Sequence, residues 1–442
     1  MKKVCVIGLG YIGLPTSLIA AEYGFDVIGF DVDQDRVARI NIADPVIEEP
    51  EIKEKLKNIL AKKKFHATTK IQEADYFIIA VPTPFLKDKK ADLSYVWDAV
   101  DSISLVLKKG AVVILESTVP VGATAQLAQK LEQKTLLKAG IDFFVAHCPE
   151  RVLPGNIFHE LVHNPRIIGG INEESVDQTK EFYKKFVKAS LYLTNATTAE
   201  MVKLVENSSR DVSIAFANQI AAMAYKAGLN PFEVIELANK HPRVDILNPS
   251  CGVGGHCIAV DPWFLIETFP EQTQLLKAAR EINDLKPLQV VKATKKSVEE
   301  WKKDNKNHMP CKVLILGLTY KPNIDDLRES PALQIAKQLS QDTDIDLLIC
   351  EPFVKNETIN TLFGKYSISF KEGLEQSNII LCLVNHTPFK IINSATISNK
   401  MILDYCGLLY KPHIKNQDQE QLFWPASTVS IKPIIDHVQG DL

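Results

Sequence analysis

The chain has 442 residues, 46% of them hydrophobic and 24% charged, with a net charge of −3 at neutral pH. That is a globular composition with length for about two to four domains, and its near-neutral balance offers no field that would gather nucleic acid or an anionic membrane. No apolar run reaches membrane-spanning length, and Met1-Lys2-Lys3 passes straight into a short apolar run too brief for a signal peptide, so a cytoplasmic protein is expected. Eight scattered cysteines without paired spacing make a disulfide framework or a metal site an unpromising reading.

The first element is an apolar run over 4–7, followed by Gly8-Leu9-Gly10-Tyr11-Ile12-Gly13 and a helical pattern over 14–23 that stops at Gly24. A second apolar run over 27–30 ends at Asp31, eighteen residues past Gly13. Strand, glycines, helix and spaced acid together form a dinucleotide-binding start. The helix N-terminus faces the pyrophosphate and Asp31 the adenosine ribose, and a carboxylate there disfavours a 2′-phosphate. NAD is the expected cofactor, and Arg36 keeps NADP as the alternative.

The alternation continues with strands over 76–81, 111–115 and 143–146, which deliver Pro82-Thr83-Pro84, Glu116-Ser117-Thr118 and His147-Cys148-Pro149-Glu150-Arg151 to one rim. Ligands of open parallel sheets bind beyond the carboxyl ends of the strands, so Thr83 and Thr118 are candidates for the nicotinamide side. Glu150 can activate water, and Arg151 can pair with a phosphate or a substrate oxygen.

From about 196 to 301 the period is helical. Thr197 and Glu200 read as a capping box, and the helix runs toward Gly228. Lys203, Asn207 and Arg210 fall at i, i+4 and i+7, on one face that is either solvated or functional. A second helix opens at Asn230-Pro231, and the helical segment is a plausible dimer core. The stretch 248–262, Asn-Pro-Ser-Cys-Gly-Val-Gly-Gly-His-Cys-Ile-Ala-Val-Asp-Pro, packs three glycines against Cys257, with Asp261 four residues later. Taken alone it reads as a tight turn with a structural thiol; beside the dinucleotide motif it reads as a presented nucleophile.

After a Lys-, Asp- and Asn-rich stretch over 287–310, taken as a helix end and linker, strands are expected over 313–316, 347–350, 379–384 and 401–403. The fold class is α/β, with two Rossmann-like doubly wound domains joined by a central long-helix segment. The expected boundaries are 1–195 for NAD binding, 196–305 for the helical dimerisation segment with the Cys loop, and 306–442 for a second Rossmann-like domain that lacks GxGxxG, so its ligand need not be a dinucleotide. Lys321 and Arg328 lie on the first βα loop of that last domain, where cations suit phosphate.

The segments GLGYIGLPT, AVPTPF, LESTVPVG, CPERVLPG, TAEMVKLVENSSRDVSIAFANQ, HPRV, GVGGHCIAVDPWF and KPNIDDLRESPA, in this order, resemble the UDP-glucose/GDP-mannose dehydrogenase family. The resemblance implies NAD-dependent four-electron oxidation of the C6 alcohol of a UDP-sugar by a homodimer or higher homo-oligomer. UDP-N-acetyl-D-mannosamine is the expected substrate and UDP-N-acetylglucosamine or UDP-glucose the alternatives; a non-catalytic nucleotide-binding protein is the reading from another class. By motif, Cys257 would carry the thiohemiacetal and thioester, and Lys203 with Asn207 would stabilise the oxyanion. Asp261 would move a proton, and Glu150 with Thr118 would orient water. Arg151, Val152, Lys203, Asn207, Arg210, His241, Arg243, Gly254 and Lys321 would contact substrate, with Arg243 offered to a neighbouring subunit. Gly8, Gly10, Tyr11, Ile12, Gly13, Asp31, Arg36, Thr83, Thr118 and Arg328 would contact cofactor, and no metal is implied. The chain departs from the family at Pro249-Ser250-Cys251, where Cys251 is an inert thiol or a redox partner of Cys257, and after Leu408, in a tail containing Trp424.

Overall fold

The computed structural model describes residues 1–411 apart from 46, 48, 87, 154, 256, 307–308, 393–396 and 398. His256 of the glycine stretch and the C-terminal tail from 412 lie outside the described residues. The chain divides into two compact units, one of Met1–Asn207 with Val260–Gln272, the other of Ser208–Ala259 with the chain from Thr273 onward.

The first unit holds eight strands: β1 (Lys3–Ile7), β2 (Asp26–Phe30), β3 (Phe65–Thr68), β4 (Tyr76–Ile79), β5 (Val112–Leu115), β6 (Phe144–His147), β7 (Arg166–Gly170) and β8 (Leu191–Asn195). Their order is β3-β2-β1-β4-β5-β6-β7-β8. β1 through β6 pair in parallel, so the strand order reverses between β1 and β4, where doubly wound sheets bind ligands. β7 then runs antiparallel to β6. Alternation along β1 sends Val4 and Val6 to one buried cluster and Cys5 and Ile7 to another, so both faces of the sheet are covered by core. β7 and β8 were not foreseen: Arg-Ile-Ile-Gly-Gly carries two glycines, and β8 is an exposed edge.

In the second unit β9 (Cys311–Leu316), β10 (Ile345–Cys350), β11 (Ile379–Cys382) and β12 (Met401–Asp404) form a parallel sheet of order β10-β9-β11-β12. Again Val313 and Ile315 enter one core cluster and Leu314 and Leu316 the other. The two Rossmann-like sheets and the long helices between them in sequence are the expected fold class.

The helix end expected within 287–310 falls at Asn305, because the helix Gln274–Asn305 continues through a buried Pro287. An interior proline forfeits a hydrogen bond and bends a helix, and here burial of Val290, Val291, Ala293 and Val298 on the far side outweighs that cost. Thr197 does not cap the long helix Ala196–Lys226. Asn195 does, its side chain accepting from the Thr198 N–H at 2.8 Å, while Glu200 is engaged elsewhere. In the second unit that helix and Gln274–Asn305 are joined by a buried network: Arg280 donates to Asp211 at 2.6 Å, and Asn283 donates to Asp211 at 2.8 Å. No helix among the described residues is long and apolar enough to cross a membrane.

Candidate active site

The dinucleotide cradle is built by close approach. A Cβ on Gly13 would lie 1.8 Å from the Gly8 carbonyl oxygen, so only glycine lets the first helix start against the β1 turn. Gly8 itself sits at φ +89°, and a Cβ on Gly10 would point into open space, the side from which a pyrophosphate would approach. Asp31 is buried beyond the end of β2. One carboxylate oxygen accepts from the Leu9 N–H at 2.8 Å and from Arg36 at 2.9 Å, the other from the Asp33 N–H at 3.0 Å. The acid thus braces the glycine turn, and Arg36 is turned onto a carboxylate rather than toward a 2′-phosphate. These residues fit NAD.

The strand-end loops follow. Thr83 and Thr118 are half-buried beyond β4 and β5, and Ser117 donates to the Val81 carbonyl at 2.7 Å, tying the two loops together. Glu200 was read from sequence as part of a cap. It instead reaches the N-terminus of the helix Ala123–Thr135, accepting from the Gly122 N–H at 2.6 Å and from the Thr124 N–H and hydroxyl at 2.7 and 2.6 Å. Unpaired helix N–H groups attract an acid, so this bond fastens the Thr118 loop to the helix that carries Lys203 one turn on.

Past β6, Glu150 accepts from the Arg151 and Val152 N–H groups at 2.6 and 3.0 Å and from Arg166 at 2.8 Å. The Arg151 side chain is engaged by Glu206 and by the Pro165 carbonyl, each at 2.6 Å. Arg166 and Tyr183 fall in no segment singled out from the sequence, and Glu116 and Glu206, which lie in quoted segments, were given no role.

Within the same unit Asn207 donates to Asp261 at 2.5 Å. Asp261 opens the helix Asp261–Thr268 and is 2% exposed. Burial pushes its carboxyl up to about 6, against the pull of the Lys203 charge and the Asn207 hydrogen bond. His147, at the end of β6, is fully buried. Burial, with the Lys203 charge, drives it down to about 3 against a backbone hydrogen bond at Leu115, so it is neutral. Lys203, Asn207, Asp261 and His147 thus form one group: a cation, a neutral donor, and an acid poised near neutral pH.

In the second unit, Cys257 is exposed. Its glycine loop packs on the loop after β9. A Cβ on Gly254 would meet the Glu329 carbonyl oxygen at 2.5 Å and Tyr320 at 2.7 Å, and the Gly255 N–H donates to the Arg328 carbonyl at 3.2 Å. The glycines therefore serve packing against 320–331, which joins two stretches that sequence reading treated apart. Ser250 is held from Asn218 at 2.9 Å, and Cys251 is buried, its thiol pushed up to about 12 by burial, as suits an inert core residue. Arg210, His241, Arg243 and Lys321 are exposed in this unit, and Arg328 is braced by both oxygens of Asp326. Gly254→Ala is expected to cost about 1–3 kcal/mol through overpacking and to cut turnover roughly 100-fold by displacing the Cys257 loop. NAD⁺ affinity, most of whose proposed contacts lie in the first unit, should stay within about twofold; calorimetric NAD⁺ titration beside steady-state kinetics checks this.

A glycine cradle at the switch point of a 3-2-1-4-5-6 sheet, with a lysine, an amide and a titratable acid in the same unit, defines an NAD-dependent dehydrogenase. Family models place it further: the UDP-glucose/GDP-mannose dehydrogenase NAD binding, central and UDP binding domains match residues 2–187, 197–285 and 314–416. The chain belongs to the UDP-glucose/GDP-mannose dehydrogenase family and is an NAD-dependent nucleotide-sugar dehydrogenase. It is 46% identical over 404 residues to UDP-N-acetyl-D-mannosamine dehydrogenase of Campylobacter jejuni, covering 89% of this chain and 97% of that one. It is 42% identical over 414 residues to NDP-N-acetyl-D-galactosaminuronic acid dehydrogenase of Ralstonia solanacearum, covering 92% and 96%. The solved UDP-D-ManNAc dehydrogenase of Pyrococcus horikoshii superposes with a TM-score of 0.84 at 39% identity, covering 93% of this chain and 96% of that one.

Proposed function

We propose that the enzyme oxidises the C6 alcohol of UDP-N-acetyl-D-mannosamine to the carboxylate of UDP-N-acetyl-D-mannosaminuronate through a thiohemiacetal and a thioester on Cys257. The observation that carries the covalent route is that Cys257 is the one exposed cysteine of eight. Burial raises the other seven thiols, Cys148 to about 11 and Cys5, Cys311 and Cys350 to about 12 among them. A thiolate nucleophile needs an accessible position. The three similar proteins above are all named for N-acetylated sugars, which favours an acetamido substrate over UDP-glucose.

Gly8, Gly10, Tyr11, Ile12, Gly13, Asp31, Arg36 and Thr83 would hold NAD⁺, and Arg328 is a further candidate contact; the bound cofactor would supply the hydride acceptor for each oxidation at C6. The whole conversion turns one alcohol, one water and two NAD⁺ into one carboxylate, two NADH and three protons. Asp261 takes up the alcohol proton. Cys257 sulfur bonds to the aldehyde carbon, Lys203 and Asn207 donate to the oxygen that becomes negative, and Glu150 with Thr118 orients the hydrolytic water. Arg151, Val152, Arg210, His241, Arg243, Gly254 and Lys321 recognise the UDP-sugar.

The protein works as a homodimer or higher homo-oligomer in the cytoplasm, in polysaccharide-precursor synthesis. Exposed Met201, Val205, Phe216 and Met223 recur at helical spacing on Ala196–Lys226, a stripe that a second copy would bury.

NADH formation with UDP-N-acetylmannosamine, UDP-N-acetylglucosamine, UDP-glucose and GDP-mannose tests the proposal. The first should give the highest kcat/KM and two NADH per sugar consumed. A higher kcat/KM for another sugar, or one NADH per sugar, overturns it.

A further inference from the structure

The single antiparallel step of the first sheet has a chemical product. β6 and β7 pair with Ala146 opposite Gly170 and His147 opposite Gly169, and continuing that register sets position 150 opposite 166. The start of β7 is thereby carried to the rim where the parallel strands end, and Arg166 meets Glu150 there. The Arg166 side chain is 5% exposed and donates to Glu150 at 2.8 Å through one terminal nitrogen. Its other terminal nitrogen lies 3.5 Å from Glu116 and 3.8 Å from the Cys148 sulfur. The guanidinium carbon sits 4.8 Å from the centre of the Tyr183 ring, and the Tyr183 hydroxyl donates to Glu116 at 2.7 Å.

Ordinary core economy does not call for this cluster. Two carboxyl groups and a guanidinium out of water are costly unless well paired, and an apolar replacement is often neutral or better for stability. The second oxygen of Glu116 has no hydrogen-bond partner among the described residues. What the cluster does achieve is fixation of Glu150. With two backbone N–H groups on one oxygen and Arg166 on the other, the carboxylate cannot rotate, and the Arg166-bound oxygen keeps a lone-pair direction for another donor.

We infer that Arg166, backed by Glu116 and Tyr183, is a positioning residue that aims Glu150 at the hydrolytic water. The inference rests on the thioester route proposed above. Hydrolysis breaks the acyl carbon–sulfur bond and joins that carbon to the water oxygen, yielding carboxylate, Cys257 thiolate and two protons. Glu150 needs a fixed direction for this step, whereas both hydride transfers precede it. Burial raises the Glu116 carboxyl to about 7 against the pull of the Arg166 charge.

Arg166→Lys keeps a charge but loses the two-armed geometry. In rapid-mixing experiments with UDP-N-acetylmannosamine and NAD⁺ it should retain a burst of two NADH per active site, lose about 100-fold in steady-state kcat, and accumulate a Cys257 acyl adduct in the intact mass of acid-quenched enzyme. KM should change much less than kcat. Glu150→Gln should behave alike, and the Glu150→Gln/Arg166→Lys double variant should be no slower than either single, as for residues acting as one unit. If Arg166→Lys folds poorly, Arg166→Met/Glu116→Gln, which removes the charge and its rear counter-charge together, is read the same way. Unchanged turnover, or a burst slowed in step with turnover without adduct, overturns the assignment. Adduct in Glu150→Gln but not in the Arg166 variants overturns Arg166 alone. Absence of adduct in every variant, with Cys257→Ser still completing the oxidation, overturns the thioester reading beneath it.

Discussion

Cys257→Ser is expected to bind NAD⁺ and UDP-sugar within about threefold of the parent, yet to form uronic acid at less than about one-thousandth of its rate. Serine fits the same exposed position, so folding and binding should survive. Its hydroxyl is a far weaker nucleophile near neutral pH than a thiol, and an oxygen ester lacks the ready hydrolysis of a thioester. At most one NADH per sugar should appear, with aldehyde as the product. No other cysteine is placed to substitute, since burial raises the remaining seven. Product analysis by mass spectrometry beside NADH stoichiometry decides the matter. Complete four-electron turnover by the variant would remove the covalent step from the mechanism.

What the sequence announced was local, and what it withheld was pairing at a distance. The strand, glycine turn, helix and Asp31 of the first unit were legible because each piece is constrained by its neighbours. Gly13 cannot carry a Cβ beside the Gly8 carbonyl only five residues back. Lys203 and Asn207 were legible as a helical face, and Asp261 as a chain neighbour of Cys257. Arg166 was not legible: its partner Glu150 arrives through an antiparallel pairing with no period to betray it, from a strand whose two glycines hide it. Glu200 was legible but misread. Three residues past a threonine it matches a capping box, yet its carboxylate satisfies N–H groups 76 and 78 residues away, which a one-turn motif cannot anticipate.

Asp261→Asn is expected to show the second large effect, a loss of about 100- to 1000-fold in kcat, together with a change in the shape of two pH profiles. In the parent, burial holds the Asp261 carboxyl at about 6 against 3.8 for an ordinary aspartate. If it must be ionised to take a proton, kcat/KM rises with pH and levels off above about 6, and the asparagine variant should lack that limb. The stability profile runs the other way. A carboxyl raised by folding contributes stability that is full below pH 3.8, where folded and unfolded chains both hold the proton. That contribution is lost as pH rises through about 6, where the folded state must carry a buried charge. The amide isostere pays no such penalty, so Asp261→Asn should gain thermal stability over the parent from pH 4 to pH 7, by at most about 3 kcal/mol. Glu116, raised in the same direction, is present in both proteins and drops out of the difference. Melting curves and kcat/KM measured across that range on both proteins check the two predictions together. A variant that loses activity while its stability difference stays flat with pH would mean that Asp261 is not the group titrating near 6.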